Sequence, residues 1–153
     1  MKKLIYLLLL LPFAALTSCE KDDLAPFDMT LTLGGVSQYD GSFYAVQGDE
    51  VTIENLTVDP VGGKNTALSN VMFYIDGRPL WPTPWESVNG ITFSTANLPA
   101  GTHTIGINGN LLQVDQSLQV FAVEYKLVVV DSDEGLPEGA PELGSFSSTV
   151  SFQ

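Results

Sequence analysis

The chain has 153 residues, of which six are basic and eighteen acidic, and its formal net charge at pH 7 is −12. Such an acidic surface repels phosphate backbones, so nucleic acid is excluded as a partner. The length suits one domain with its own hydrophobic core, and the single cysteine excludes an internal disulfide framework.

The first eighteen residues have the three parts of a secretory signal. Met1-Lys2-Lys3 is basic, Leu4 to Leu16 is an apolar run of thirteen residues, and Thr17-Ser18 supplies small residues before a cleavage site. A helix needs about twenty apolar residues to span a bilayer, so this run is too short to cross one. Removal of residues 1–18 leaves four basic residues against eighteen acidic ones, a net charge of −14.

Leu16-Thr17-Ser18-Cys19 resembles the lipobox of bacterial lipoproteins, whose cysteine is acylated and becomes the new N-terminus. Ser18 stands where glycine or alanine is commoner. The alternative is an ordinary secretory signal with an incidental cysteine, but a lone thiol in an exported protein needs an explanation. The resemblance implies that acyl chains on Cys19 anchor the protein to a membrane and that residues 19–26 are a tether.

Glu20, Lys21, Asp22 and Asp23 follow the cysteine directly. In lipoproteins of the Bacteroidota, a lysine or small polar residue followed by acids at this place looks like the signal for the outer face of the outer membrane, and this stretch is similar. The resemblance implies a lipid-anchored protein exposed at the cell surface. The alternative interpretation is a solvated tether with no export role.

From Phe27 onward the hydrophobic pattern has the two-residue period of β-strands. The first strand is predicted by four apolar residues of one parity, Phe27, Met29, Leu31 and Leu33. We expect this strand to end at Gly34-Gly35. Shorter strands are predicted at residues 43–46 and 51–58. A phase slip at Asn55-Leu56 predicts a β-bulge in the second of these.

Asp-Gly and Asn-Gly pairs indicate turns further along, because both residues tolerate the positive φ of a type I′ turn. They predict hairpins at Asp76-Gly77, Asn89-Gly90 and Asn108-Gly109. The strands predicted around these turns are residues 70–75, 91–95, 102–107 and 111–114.

The last third of the chain contains the longest apolar run, Leu118 to Val130. It is apolar on both parities, so we expect a central strand covered on both faces. Acids, glycines and two prolines predict a loop over residues 131–144. Alternation from Phe146 to Phe152 predicts a final strand at the C-terminus.

Seven or eight short strands with no helical period after residue 19 predict an all-β fold, a sandwich of two antiparallel sheets. Val71 to Gly77 resembles the V-x-F-x-I-D-G strand of bacterial immunoglobulin-like and PKD-like domains, and Asn97 to Ile105 resembles their L-P-x-G-x-Y-x-V corner. The resemblance covers some sixteen residues. It implies that residues 27–153 form one immunoglobulin-like domain.

His103 is the only histidine, and it shares its parity with Ile105 and Ile107, which points it toward the core. The resembling domains usually carry a corner tyrosine here that bonds to nearby backbone, so the resemblance implies a structural role for His103. With no second histidine and the cysteine acylated, neither His/Cys catalysis nor a His-based zinc site can be assembled. We expect no metal and no cofactor.

Acidic residues cluster at Asp49-Glu50 and at Asp131, Asp133 and Glu134. Calcium takes six to eight oxygen ligands, and no glycine-punctuated calcium loop accompanies either cluster. We interpret them as solvated loop acids. A glycosidase needs two facing carboxylates, and the sequence identifies no such pair, so we expect no enzymatic activity.

Trp81-Pro82-Thr83-Pro84-Trp85 contains both tryptophans. Two prolines confine the segment to a sheet edge or a loop, where flat indole rings suit stacking against sugars or anchoring a protein partner. The alternative is that the tryptophans fold back and cap an open end of the sandwich, since large aromatics are buried on average. Trp81 and Trp85, helped by Tyr74 and Glu86, are the candidate ligand-binding residues.

Three functional hypotheses follow, and fold analogy alone cannot choose among them. The first is a non-enzymatic surface lipoprotein that serves as an adhesion or accessory binding module of the bacterial envelope. The second is a glycan-binding lipoprotein of a polysaccharide-uptake system. The third is a fimbria-like subunit or anchor whose terminal strand, Phe146 to Phe152, pairs with another chain.

Overall fold

The computed structural model describes residues 25–62, 65–80, 89–114 and 118–153. Within these ranges the chain forms nine β-strands and two short 3₁₀ turns, with no α-helix, so the all-β prediction is confirmed. The strands are β1 (Phe27–Tyr39), β2 (Ser42–Val46), β3 (Glu50–Pro60), β4 (Thr66–Ile75), β5 (Arg78–Pro79), β6 (Ile91–Ser94), β7 (Gly101–Gln113), β8 (Gln119–Val130) and β9 (Gly144–Phe152). The 3₁₀ turns are Thr95–Asn97 and Asp133–Gly135.

The strands form a curled sheet with two layers. One layer has the order β9-β1-β3-β6 and the other β5-β4-β7-β8-β2, and β1 joins them because its last residues pair with β2. The predicted all-β sandwich is confirmed; it has nine strands where seven or eight were expected, and one pair, β2 with β8, is parallel. The turn Asp40-Gly41, with φ of 46° and 70°, reverses the chain after β1 and lays β2 beside β8.

The hydrophobic core lies between the two layers. From β1 it receives Phe27, Met29, Leu31 and Leu33, which are fully buried. From β7 and β8 it receives Ile105, Ile107, Leu111, Phe121, Val123, Tyr125, Leu127 and Val129. The Tyr125 hydroxyl crosses the core and donates a hydrogen bond to the Met29 carbonyl oxygen at 3.2 Å, and burial raises the pKa of Tyr125 to about 12.

Gly34-Gly35 does not end β1, so that prediction was wrong. Gly35 has a φ of +74°, and a Cβ added there would lie 2.4 Å from the carbonyl oxygen of Glu50. The pairing of β1 with β9 also shifts register between Leu33 and Val36. The two glycines therefore permit a close approach and a bend at which β1 passes from one layer to the other.

The β-bulge predicted in the third strand is confirmed. Thr32 pairs with Asn55 and Leu33 pairs with Ile53, so Glu54 is the extra residue of β3. The extra residue shifts the alternation by one position, which returns Leu56 to the core.

The Asp76-Gly77 hairpin is confirmed. The two residues have φ of 49° and 74°, as a type I′ turn requires, and they join β4 to β5 with Ile75 opposite Arg78. Asn89-Gly90 forms a turn just before β6, but residues 81–88, which precede it, lie outside the described part of the chain.

The hairpin predicted at Asn108-Gly109 is wrong, because both residues lie inside β7. A Cβ at Gly109 would lie 2.4 Å from the Asn70 carbonyl oxygen and 2.7 Å from the Phe121 ring. Glycine is required here because two neighbouring strands approach closely and leave no room for a side chain. The strands predicted at residues 102–107 and 111–114 are thus a single strand.

The prediction that Leu118 to Val130 is covered on both faces is also wrong. Alternate side chains of β8, including Tyr125 and Leu127, are buried in the core, but Val120 is 76% exposed and Glu124 is exposed. β8 lies between β7 and β2 within one layer, so its second face points outward.

The final strand is confirmed as β9, which lies at the edge of its layer and pairs with β1. The rings of Phe27 and Phe152 stack with centroids 4.5 Å apart and planes 12° from parallel. This contact holds the last residues of the strand against the first residues of β1.

The strand register defines two opposite ends of the sandwich. At the end that we call the tether end, the backbone of Ala25 bonds to Gln113, and Phe27 pairs with Pro60. At the distal end lie the first residues of β7 and the Asp76-Gly77 turn. β7 runs the whole way between them, and its thirteen residues span about 40 Å at roughly 3.3 Å per residue.

Candidate functional site

The structure describes two of the site residues that the sequence predicted, Tyr74 and His103. The others lie outside the described residues: Cys19, Glu20, Lys21, Asp22, Asp23, Trp81, Trp85 and Glu86. The placement of the candidate ligand site therefore depends on Tyr74 and on the strand ends that flank residues 81–88.

Tyr74 lies on the outer face of β4, half-buried. Its ring leans over Gly106 on the neighbouring strand, where an added Cβ would lie 3.6 Å from the Tyr74 Cβ. The Tyr74 hydroxyl lies 3.0 Å from the Met72 sulfur and donates to it. Phe73 and Ile75, on either side of Tyr74, point inward and are buried, so Tyr74 faces away from the core.

His103 lies near the start of β7 and is 6% exposed. Its Nδ1 is 2.6 Å from Oδ2 of Asp76, and its Nε2 is 2.8 Å from the carbonyl oxygen of Pro99. The second oxygen of Asp76 accepts a hydrogen bond from the backbone N–H of Thr104 at 2.9 Å. The left-handed backbone of Asp76 in the type I′ turn aims its carboxylate at the beginning of β7.

Both neighbours of the His103 ring are hydrogen-bond acceptors. The Pro99 carbonyl can only accept, and the Asp76 carboxylate accepts as long as it is ionised, so the protonated ring, with a hydrogen on each nitrogen, satisfies both partners. Burial lowers the pKa of His103, but the hydrogen bonds to Asp76 and Pro99 outweigh it and raise the pKa above its ordinary value of 6.5. The hydrogen bonds from His103 and then from the Thr104 amide lower the pKa of Asp76 below 3.8.

This geometry determines what His103 can do. In the imidazolium form both ring nitrogens donate these hydrogen bonds, and neither has a free lone pair with which to accept a proton. The ring instead ties the β4–β5 turn to the start of β7 through a charge-assisted hydrogen bond. The sequence predicted the backbone bond, but it did not identify Asp76, because that pairing depends on the register that sets Ile75 opposite Ile105.

Next to this pair, the distal end contains a cavity of about 430 Å³. We call it the distal cavity. Its lining is mostly apolar, with polar groups at Ser94, Asn97 and the His103–Asp76 pair. The lining residues are Ile75, Asp76, Arg78, Pro79, Leu80, Phe93, Ser94, Asn97, Leu98, Pro99 and His103. An apolar cavity of this volume with a few polar groups is typical of a small-ligand site.

Arg78 also lines the distal cavity and brings a positive charge to it. Among the described residues it forms no ion pair with a carboxylate, although it is close enough to Asp76 to lower the pKa of that carboxyl. In a chain of net charge −12, an unpaired guanidinium at a cavity can attract an anionic or polar ligand group.

One wall of the distal cavity is the 3₁₀ turn Thr95–Asn97, and hydrogen bonds hold it firmly. Ser94 caps the turn by accepting from the Ala96 N–H at 3.2 Å. The fully buried Thr95 hydroxyl lies 2.7 Å from the Val46 carbonyl oxygen and 2.9 Å from that of Asp49. The wall is therefore preorganised rather than loose.

None of the acidic-cluster residues lines the distal cavity, although the Asp49 carbonyl accepts from Thr95 in the cavity wall and Glu50 pairs with Ser94. Asp133 and Glu134 belong to the second 3₁₀ turn, where Ser132 donates to Glu134 at 3.2 Å. In the part of the chain that the structure describes, no group of three or more His, Cys, Asp or Glu side chains could hold a metal ion.

Within the same described ranges, no helix is long and apolar enough to cross a membrane. Comparison with known proteins found no matching family model, no matching curated protein and no matching solved structure.

Proposed function

We propose that this protein is a non-enzymatic, lipid-anchored binding module of the bacterial envelope, held in the outer membrane by acyl chains on Cys19 and exposed at the cell surface. The secretory pattern of residues 1–18 and the lipobox-like sequence before Cys19 support the anchor. The acidic residues that follow Lys21 support surface export. One structural observation supports a binding role.

That observation is the opposite placement of the anchor side and the distal cavity. The chain from Cys19 enters the sandwich at Ala25, which is bonded to Gln113 at the tether end. The distal cavity lies near the other end of β7, where His103 is about 33 Å along the strand from Gln113 at roughly 3.3 Å per residue. A protein anchored through Cys19 would thus present a preformed cavity away from the membrane.

The anchor and the location can be tested in cells that make the protein. We expect Cys19→Ala to leave an unprocessed or released chain that carries no acyl group by mass spectrometry. Protease added to intact cells should digest the wild-type protein, and replacing Lys21, Asp22 and Asp23 by alanine should protect it. A wild-type chain with an unmodified thiol would contradict the proposal, as would its survival in protease-treated whole cells.

A glycan-binding role is the second candidate, and one observation favours it. Leu80 lines the distal cavity, and Trp81 is the next residue of the chain. Glycan binding through Trp81, Trp85 and Glu86 predicts that iodide quenches tryptophan emission and that the right polysaccharide shifts it. Tyr74, on the outer face of β4, would belong to a separate contact.

A matched pair of variants tests the glycan role. Trp85→Ala should abolish the polysaccharide-induced shift, whereas Tyr74→Phe, which changes the outer face only, should preserve it. Emission that responds to neither iodide nor polysaccharide would count against this candidate.

The fimbria-like alternative requires the terminal strand to pair with another chain. In the structure β9 pairs with β1 of its own chain, and Phe152 stacks on Phe27. The alternative therefore needs a rearrangement in which β9 leaves this position, and it ranks behind the other two.

A further inference from the structure

Four large apolar side chains lie exposed where β7 ends and β8 begins. They are Leu112, Val114, Leu118 and Val120, with exposed fractions of 46%, 53%, 52% and 76%. Asn110 pairs with Val120 and Leu111 with Gln119, so Leu112 and Leu118 directly follow and precede the last paired residues of the two strands. We call these four residues the tether-side patch. A cluster of exposed apolar residues on one face of a sheet indicates a contact surface.

The surroundings of the tether-side patch are uncharged among the described residues. Asn110 on β7 pairs with Val120, and Asn70 on β4 pairs with Asn110, so carboxamide side chains lie next to Val120 across the sheet. The first charged residues further along this face of β8 are Glu124 and Lys126, about 13 Å and 20 Å from Val120 at roughly 3.3 Å per residue. Asp115, in the connection between β7 and β8, lies outside the described part of the chain.

The tether reaches the sandwich at this patch. Gln113, between Leu112 and Val114, is 5% exposed, and its carboxamide makes two hydrogen bonds with the backbone of Ala25, at 3.0 Å and 2.9 Å. The segment from Cys19 to Ala25 spans at most about 20 Å when fully extended. Acyl chains on Cys19 would therefore hold the tether-side patch within reach of the lipid.

We propose that the tether-side patch rests on the lipid surface of the membrane and sets the orientation of the domain. This inference depends on the acylation of Cys19 in the proposed function. A short tether raises the effective concentration of the membrane surface to roughly millimolar, so weak apolar contact is sufficient. Moving leucine and valine side chains out of water is favourable, and the described residues next to the patch on this face carry no carboxylate that anionic headgroups would repel. The distal cavity then points away from the bilayer.

The test places an environment-sensitive fluorophore on single cysteines of the acylated protein in vesicles that contain spin-labelled phosphatidylcholine. Val120→Cys reports the tether-side patch. Lys126→Cys is the matched control, because it lies on the same face of the same strand, six residues further from the tether end. Mass spectrometry first verifies the acyl group, so an unmodified Cys19 is recognised as a failure of the proposed function and not of this inference.

We expect the spin label to quench the fluorophore at position 120 at least threefold more than at position 126. Replacing Leu112 and Leu118 by asparagine in the Val120→Cys chain should remove most of this difference. Equal quenching at the two positions would overturn the inference. A second outcome would also overturn the inference. The fluorophore at position 120 would become shielded from water as the protein-to-lipid ratio rises, while the spin-labelled lipid does not quench it. That result would assign the patch to a second copy of the chain.

Discussion

Asp76→Asn is the most informative single change to the distal end. Asparagine tolerates the left-handed backbone that position 76 adopts, with a φ of 49°, and Asn-Gly is itself a favoured type I′ turn. The variant therefore keeps the β4–β5 hairpin and removes the negative charge next to His103. Its Oδ1 can still accept from the Thr104 amide, so the change isolates the ionic part of the contact.

The expected loss follows from the geometry of the pair. A hydrogen bond between charged groups contributes about 1.5–3 kcal/mol to stability. Because Asp76 is 45% exposed, solvent screening reduces this value, and we expect the variant to lose about 1.5 kcal/mol. For a domain of this size such a loss lowers the melting temperature by roughly 5 °C.

The pH dependence gives the stricter test. Because folding raises the pKa of His103, the protonated ring adds stability to the folded state. This stability is fully present below pH 6.5, the ordinary pKa of histidine, and disappears as pH rises through the folded-state pKa. The lowered pKa of Asp76 adds stability that is complete above 3.8 and disappears as pH falls through its folded-state value. The stability difference between wild type and Asp76→Asn should therefore be largest between about pH 3.8 and 6.5.

The assay combines thermal unfolding over this pH range with proton NMR of the single histidine ring. The wild-type ring should titrate above pH 6.5. In Asp76→Asn the carboxamide can donate to a neutral Nδ1, and burial then lowers the pKa of His103 below its ordinary value. The reasoning is refuted if the two rings titrate alike, or if the stability difference between the proteins does not change with pH.

Three further predictions concern packing and are checked by chemical denaturation. Gly109→Ala should lower the free energy of unfolding by about 1–3 kcal/mol, because its Cβ would lie 2.4 Å from the Asn70 carbonyl oxygen. Gly106→Ala is the control and should change stability little, because its Cβ would lie at an ordinary contact distance of 3.6 Å from Tyr74. Equal effects of the two changes would contradict the close approach at position 109. Thr95→Val should cost about 0.5–1.5 kcal/mol, since it keeps the shape but removes the hydrogen bond from the Thr95 hydroxyl to the Val46 carbonyl oxygen, which still accepts from the Asp49 N–H, and a variant as stable as wild type would show that this bond is dispensable. Deleting residues 145–153 should unfold the domain by uncovering one side of β1, and a folded monomer would instead favour the fimbria-like alternative.

The sequence was most informative where the physical cause is local. Alternation from Phe27 predicted which side chains of β1 are buried, and the phase slip after Ile53 predicted the bulge, because each follows from the two-residue period of a strand. Asp76-Gly77 predicted a type I′ hairpin, since only a few residue types adopt its backbone angles.

The glycine pairs show where local reasoning stops. Gly34-Gly35 and Asn108-Gly109 look like turns in the sequence, yet both lie within strands. Their glycines are required by backbone or side chains from distant parts of the chain, Glu50 in one case and Asn70 and Phe121 in the other. A glycine that permits close approach of a neighbouring strand and a glycine in a turn cannot be told apart in the sequence. Only the position of the neighbouring strand distinguishes them.

The sequence by itself determined the all-β character of the chain and the expectation of a lipid anchor at Cys19, because strand periodicity and signal segments are read from consecutive residues. Only the tertiary structure decided that His103 meets Asp76, that Gln113 holds Ala25, and that the distal cavity and Ala25 lie at opposite ends of the sandwich. Each of these depends on strand register between residues far apart in the chain. Register is set by the packing of the whole core, and no short segment contains that information.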